Sequence, residues 1–342
     1  MAFKKAKKVK FKRKGEFVSL EGKNNKTFLT YSNGYVFVGK NLSLKCLFDP
    51  KDKWIQDALK HRIKYCRIIK KEAKGKNRFY VQLILEGHPY HKYEIGKDKI
   101  GLDVGPSTIA IVGESKAELK EFCEEVVTID KENRRINRKM DRQRRANNPN
   151  NYQRNGVVKK GKKKWVNSKR YIKTRSKHRE LERKMKEVRK QFHGRDTNQI
   201  LQQASSIQTE KLSYKAFQKM FGKSIARKAP SMFLKMLKRK VIAQGGTFQE
   251  FATYSTKLSQ TCHCGAIKKK RLKDRWHICE CGVHAQRDLY SAFLARYVSK
   301  SDRVDIQKAE KDRLQISSVL NECILKLENR KSERKYISTF GL

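Results

Sequence analysis

Lys99-Ile100-Gly101-Leu102-Asp103-Val104-Gly105 is an apolar run that admits a single carboxylate near its end and then stops at a glycine. Residues of this kind at this length, closed by Gly105-Pro106, read as a buried strand entering a turn. Ser107 to Val112 follows at once as a second strand, and Glu125 to Ile129, rich in β-branched side chains, reads as a third, in hairpin order. Downstream the patterning predicts a short strand at Ser205 to Glu210, a helix from Ser231 to Ala243, a strand at Thr247 to Phe251 and a helix beginning at Asp288. The succession β-β-β-α-β-α-β-α, with strands and helices alternating in its second half, predicts an α/β fold: one mixed sheet covered by helices.

Residues 131–193, which lie inside this region, are dominated by Arg, Lys, Asn and Gln. Helical spacing at both ends and a break around Asn147-Asn148-Pro149-Asn150 and the lysine run at 159–164 predict two basic helices around a loop. Upstream, Gly34-Tyr35-Val36-Phe37-Val38 and Arg78-Phe79-Tyr80-Val81-Gln82-Leu83-Ile84-Leu85 alternate in the β manner, so residues 17–98 read as a small β-rich, barrel-like domain. Within it Asp52 to Arg62 reads as a helix, Gly75-Lys76-Asn77 as the turn of a hairpin between Tyr65 to Ile69 and Phe79 to Leu85, and Gly87 to Asp98 as a linker. The expected organisation is a basic arm (1–16), the β-rich domain (17–98), an α/β domain (99–299) with its basic segment 131–193 and an insertion at 259–284, and a charged helical tail (300–342).

Charge narrows the function. Against 34 Asp and Glu stand 83 Lys and Arg, a formal charge of +49 over 342 residues, which repels itself unless a polyanion neutralises it. Nucleic acid is the expected partner. No apolar run approaches the ~20 residues that cross a bilayer, and no secretory or lipidation signal is visible, so no membrane partner is expected and the chain reads as soluble and intracellular. On a helix, Arg134, Arg135, Arg138, Lys139, Arg142, Arg144 and Arg145 would point nearly all round and, with Lys163 and Lys164, suit contact with phosphates. Tyr152, Trp165 and Tyr171, interleaved with this charge, suit either base stacking or helix packing.

Three carboxylates carry the chemistry: Asp103 on the first strand, Glu210 ending the fourth and Asp288 opening the last helix. Each alone has a plain structural reading, as a strand-to-turn junction, a surface partner of lysine, or a residue favoured by the helix dipole. Together they fall at the elements where a nuclease of the RNase H type needs them. Phosphodiester hydrolysis at neutral pH requires an activated water and relief of charge on the leaving oxygen, which two Mg2+ ions about 4 Å apart supply; a few carboxylates suffice as their protein ligands. No Ser, His or Cys nucleophile constellation competes with this reading, and no Gly-rich phosphate loop is present.

The eight cysteines divide into two kinds. Cys46, Cys66, Cys123 and Cys323 stand singly in apolar or helical contexts, as reduced core thiols do. Cys262-His263-Cys264-Gly265 and Cys279-Glu280-Cys281-Gly282 form two close pairs around a basic hairpin-like stretch, and four thiolates on two turns complete a tetrahedral Zn2+ shell of structural type. The single residue inside each pair departs from the usual two, leaving His263, His277 or His284 as substitutes for one thiol; a disulfide or redox pair is the other reading.

Gly101-Leu102-Asp103-Val104-Gly105-Pro106-Ser107-Thr108, Thr209-Glu210-Lys211-Leu212-Ser213-Tyr214 and the segment Cys262 to Ala292 resemble the TnpB proteins of insertion sequences, over about residues 62 to 296. Ala285-Gln286-Arg287-Asp288-Leu289-Tyr290-Ser291-Ala292 looks like that family's third RuvC motif, preceded by its zinc-binding insertion. The resemblance implies a RuvC-like nuclease related to small type V CRISPR effectors: an RNA-guided DNA endonuclease, historically called a transposase, in the prokaryotic cytoplasm and at the nucleoid when bound to DNA. By carry-over Asp103, Glu210 and Asp288 are its catalytic, Mg2+-binding triad, Cys262, Cys264, Cys279 and Cys281 its Zn2+ ligands, a guide RNA from the transposon end its partner and double-stranded DNA its target. The family has a longer N-terminal half with a helical recognition lobe, whereas only residues 1–102 precede Asp103 here, so most of that lobe is expected to be missing. A nuclease-deficient or truncated RNA- and DNA-binding protein is the alternative, and an RNA-independent resolvase or strand-transfer enzyme on the same fold is a third reading. Oligomeric state is not encoded in any motif.

Overall fold

The computed structural model describes residues 16–25, 28–87, 91, 93–271, 273–329 and 340–341. It divides the chain into two compact units, 1–92 and 93–342. The basic arm, apart from Glu16, lies outside the described residues, as do residues 88–90 and 92 of the expected linker.

In the first unit, alternating side chains build two three-stranded antiparallel sheets. Strands β1 (Ser19–Lys23), β5 (Ile63–Ala73) and β6 (Lys76–Leu85) form one in the order β1-β5-β6; β2 (Leu29–Ser32), β3 (Tyr35–Val38) and β4 (Leu42–Lys45) form a meander. Leu29, Val36 and Cys66 are the buried centre of this small unit. The β5–β6 turn falls one residue earlier than the sequence suggests. Lys74 and Gly75, with φ of 52° and 74°, are its two central residues, a pair of positive φ values that matches the right-handed strand twist. Lys76 and Asn77 are already paired with Ala73 and Glu72. Helix α1 (Lys53–Lys60) is shorter than expected and is capped by Asp52, whose Oδ1 accepts from the Trp54 amide at 2.9 Å.

The second unit is built on a five-stranded sheet of order β11-β10-β7-β8-β9, with β7 (Asp98–Val104), β8 (Thr108–Val112), β9 (Ala117–Glu121), β10 (Ala204–Glu210) and β11 (Thr247–Phe251). β8 runs antiparallel to both of its neighbours, β7 and β9, while β10 runs parallel to β7 and β11 parallel to β10. Three strands thus turn back on one another, and two more are added on the other side of β7 through helical crossovers. The crossovers are α2 (Glu124–Asn147) with α3 (Lys169–Gln203), then α4 (Tyr214–Lys228) with α5 (Pro230–Ala243). The short α6 (Thr253–Thr256), a two-stranded ribbon of β12 (Trp276–Ile278) and β13 (His284–Gln286), α7 (Arg287–Ala295) and α8 (Ile306–Asn329) complete the unit.

Strand β7 shows why its sequence is apolar on one side only. Ile100, Leu102 and Val104 enter the core shared with α2, α3, α4 and α5, together with Ile200, Phe233, Leu237 and Val241. Ala110 and Val112 of β8 and Leu119 of β9 enter a second core with Leu289, Ala292, Phe293 and Ala295 of α7 and Ile316, Leu320 and Ile324 of α8. The sheet is therefore covered on both faces. Gly101 faces α7: a Cβ there would lie 1.9 Å from the Ala292 carbonyl oxygen, so only glycine lets this helix approach.

One expectation needs correction. The third strand is Ala117–Glu121, not Glu125–Ile129, which instead forms the first turns of α2. Val126, Asp130 and Asn133 are its buried residues, a helical spacing that outweighs the β-branched composition. In the segment read as a charged helical tail, the helix α8 is amphipathic and buries Ala309, Ile316, Leu320, Cys323 and Ile324 in the second core. Among the described residues no helix is long and apolar enough to cross a membrane.

Candidate functional site

Parallel pairing of β10 with β7 sets Thr209 against Leu102, which brings the next residues, Glu210 and Asp103, side by side at the same end of the sheet. Helix α7 supplies the third acid. Ala292 lies over Gly101, so Asp288, one helical turn earlier, lies over Asp103, two strand residues further on. Three distant segments thereby present carboxylates to one place. Asp288 is 7% exposed, and its Oδ2 accepts from the Thr108 hydroxyl on β8 at 3.3 Å; its Oδ1 lies 3.5 Å from Arg287 Nε. Tyr214 donates from its hydroxyl to the carbonyl of Val104, 3.0 Å away, fixing the backbone just past Asp103.

The electrostatics follow from this crowding. Burial, then the neighbouring charges of Asp288 and Glu210, push the Asp103 carboxyl well above the usual range, with Arg287 opposing them. Burial raises Glu210 to about 7, partly offset by a backbone hydrogen bond at Leu258. Carboxylates so disfavoured in their ionised form are what a divalent cation would relieve, and the all-oxygen donor set suits Mg2+. The sign for stability is the reverse of an ordinary surface acid. An acid whose folded-state pKa is raised loses stability as pH rises from its unfolded value to its folded one, so without metal Glu210 destabilises the fold progressively between about pH 4.5 and 7. A Glu210→Gln variant is therefore expected to melt at a higher temperature than the parent at pH 8 in chelator, with the difference vanishing near pH 5. Equal melting temperatures at both pH values would contradict the placement of Glu210.

The cysteines form a second site. Each pair is built into the same short turn: the Cys262 amide donates to the Ala266 carbonyl and the Gly265 amide to the Cys262 carbonyl, while Cys279 pairs with Val283 and Gly282 with Cys279 in the same way. Gly265 and Gly282 hold φ of 87° and 89°, which favours glycine after each pair. The four sulfurs lie within 4.8 Å of one another, with Cys262–Cys281 at 3.5 Å and Cys264–Cys279 at 3.7 Å. Four thiolates at ~2.3 Å from Zn2+ in a tetrahedron stand about 3.8 Å apart, so the quartet fits that ion closely. Among the described residues this is the group whose ligand atoms pack so tightly; the three carboxylates are not drawn together to this degree.

His263 stands beside the quartet, its Nδ1 3.9 Å from Cys262 Sγ and its Nε2 3.8 Å from Cys281 Sγ, but the four thiols by themselves form the tight group. His263 bonds Tyr290 and Glu310, His277 stacks on Tyr290 with ring centroids 4.1 Å apart, and His284 packs on Trp276. All eight cysteines are free thiols in this structure. Elemental analysis of the purified chain is expected to return about one zinc per molecule, and chelation should lower its melting temperature. A folded, zinc-free protein with unchanged melting would contradict the assignment.

The basic helices place their charge unevenly. Arg135, Arg138, Lys139, Arg142 and Arg145 are exposed along α2, whereas the face bearing Val126, Asp130 and Asn133 is buried, so the helix is not basic all round. Arg134 pairs with Asp130 at 3.2 Å. Arg144 lies 3.7 Å over the Trp165 ring and Arg145 5.5 Å over Tyr152, and the two rings meet edge to face, folding the loop back onto the helix. Lys163 donates to the carbonyls of Lys160 and Gly161, while Lys164 is exposed. Tyr171 is buried in helix packing.

Residues 231–294 match the family described as "Cas12f1-like, TNB domain". That segment contains the whole thiolate quartet and Asp288, with helix α7 joining them. Over that segment the chain is similar to the Cas12f1-like family. Comparison with curated proteins gives no match. Among solved structures, the cryo-EM structure of a CRISPR-Cas12f ternary complex is similar at 13% identity, covering 84% of this chain, with a TM-score of 0.38. The chain spans 65% of the length of that Cas12f chain, and a superposition so loose carries no argument.

Thr108, Tyr214 and Arg287 are the residues of the carboxylate site that sequence reasoning did not single out. A lone Thr, Tyr or Arg carries no periodicity or spacing that marks it. Only the sheet register and the approach of α7 bring them to the acids.

Proposed function

We propose that the chain is an RNA-guided, Mg2+-dependent DNA endonuclease of a transposable element, with Asp103, Glu210 and Asp288 as its metal-binding catalytic acids. The observation that carries this reading is the arrival of those three carboxylates, from β7, β10 and α7, at one end of the sheet, in a chain whose residues 231–294 match a Cas12f1-like domain. A sheet in the order β11-β10-β7-β8-β9, three strands antiparallel and two parallel, supports assignment of the second unit to the RNase H-like, RuvC type. Bound Mg2+ would supply an activated water and relief of charge on the leaving oxygen.

The chain's own residues do the rest. Asp103 and Glu210 hold ligand oxygens on adjacent parallel strands, so their spacing is fixed by the sheet and not by a loop. Thr108 and Arg287 restrict rotation of the Asp288 carboxylate. The thiolate quartet would hold Zn2+, which would stiffen the insertion that precedes α7. Exposed Arg135, Arg138, Lys139, Arg142 and Lys164 would grip phosphates of the guide RNA and the DNA target.

Expression of the chain together with its flanking DNA, followed by sequencing of the RNA that copurifies, tests the guide component. One dominant RNA species ending near the element's boundary supports the reading. A random sample of cellular RNA would contradict it.

A further inference from the structure

We propose that Arg287 is a positioning residue, tying the hairpin that follows the first cysteine pair to the Asp288 carboxylate, so that the thiolate cluster sets the geometry of the acidic centre. The inference rests on reading that centre as a metal-dependent nuclease site. The guanidinium reaches in two directions. Its Nη1 donates to the carbonyls of Asp274 at 2.8 Å and Arg271 at 3.4 Å, in the loop between Cys264 and β12. Its Nε lies 3.5 Å from Asp288 Oδ1. The Arg287 amide also donates to the Arg275 carbonyl at 2.8 Å, so main chain and side chain of one residue are both fastened to this loop, at Arg271, Asp274 and Arg275.

Asp288 is then held from two sides, Oδ1 by this arginine and Oδ2 by Thr108 of β8. An ionised carboxylate has about four acceptor sites, so both oxygens keep capacity for a cation while their orientation is set. Helix α7 reinforces the link. Tyr290, two residues after Asp288, bonds His263 through its hydroxyl at 2.6 Å and stands 3.4 Å from Cys262 Sγ. The planar fork of arginine can serve carbonyls and a carboxylate at once, which the point charge of lysine cannot. Partners that orient a metal-ligating carboxylate typically affect metal affinity about 10- to 100-fold.

The test is Mn2+ binding to the full chain, followed as free Mn2+ by electron paramagnetic resonance, in the parent, Asp103→Ala, Arg287→Lys and Arg287→Gln, with zinc content measured on each. The parent should show a binding component that Asp103→Ala removes. Arg287→Lys keeps the charge but loses the bridge, and that component should weaken about tenfold with zinc content unchanged. Arg287→Gln removes a positive charge beside the site, and a purely electrostatic role would tighten Mn2+ binding; the tether predicts weakening instead. Parent-like affinity in Arg287→Lys, or tighter binding in Arg287→Gln, overturns the proposal while leaving the nuclease centre standing. Absence of any Asp103-dependent Mn2+ binding in the parent would overturn the centre itself and this inference with it.

Discussion

Replacing Asp103 by alanine is expected to reduce Mg2+-dependent DNA cutting by about 10^3-fold or more, a loss of roughly 4 kcal/mol of transition-state stabilisation, while RNA binding stays within about twofold of the parent. The two readouts separate because Asp103 is one of the acids at the sheet end, whereas RNA binding is assigned to the exposed basic residues of α2. Its burial and the charges of Asp288 and Glu210 disfavour the ionised form. In chelator the alanine variant should therefore melt no lower than the parent, since it removes repulsion and not a stabilising contact. A purely structural Asp103 would give the opposite pattern, with lower melting and parent-like residual cutting, and that result would remove it from the catalytic set. Cutting and melting measured on the same preparations decide between them.

Nucleic-acid affinity is expected to fall by about 10^3-fold or more between 50 and 200 mM salt, the behaviour of a protein making about 6 to 10 phosphate contacts. The formal charge of +49 makes such a number of contacts easy to reach. Arg138→Ala, Lys139→Ala and Arg142→Ala, all on exposed positions of α2, should each reduce the log-log salt slope by about 1 and weaken binding without regard to sequence. Arg134→Ala should change the slope little, because that side chain is already paired with Asp130. Binding isotherms on one labelled RNA across a salt series measure both. A flat salt profile would mean that the charge is neutralised within the protein and that α2 is not the interface.

Much of the sheet could be read from the chain because its strands are locally unambiguous. The 98–104 run, the β10 segment and Thr247–Phe251 each combine apolar or β-branched composition with a turn at the end, and the structure forms strands there. The third strand was hidden by its composition. Ala117-Glu118-Leu119-Lys120-Glu121 has helix-forming residues and becomes a strand only because β8 offers it a partner. Glu125 to Ile129 errs the other way, its β-branched residues being carried into a helix by the burial of Val126 and Asp130 against neighbouring helices. Helix α4 carries Gly222 and a non-helical Phe221, a weak local signal for a segment whose Tyr214 nevertheless braces the acidic centre.

The candidate sites were legible to the extent that chemistry repeats in the sequence. Two Cys-x-Cys-Gly turns announce themselves, and the structure gathers their four sulfurs within 4.8 Å of one another. Three acids spread over residues 103 to 288 are visible only through the order of elements. Their convergence depends on a parallel register between β7 and β10 and on the absence of a side chain at Gly101, which no local pattern discloses. Arg287 is invisible for the same reason. Its role lies in carbonyls of residues 271 and 274, which have no signature in sequence at all.

The most direct test of the central claim is cleavage itself: the purified RNA-bound chain, incubated with Mg2+ and a plasmid library carrying the guide-matched target beside randomised flanks. Cuts that require the matched target, Mg2+ and intact Asp103, Glu210 and Asp288, and that cluster beside one short flanking motif, are the expected result. Intact plasmid in both Mg2+ and Mn2+, with RNA stably bound throughout, would contradict the nuclease assignment and leave a nucleic-acid-binding protein on the same fold.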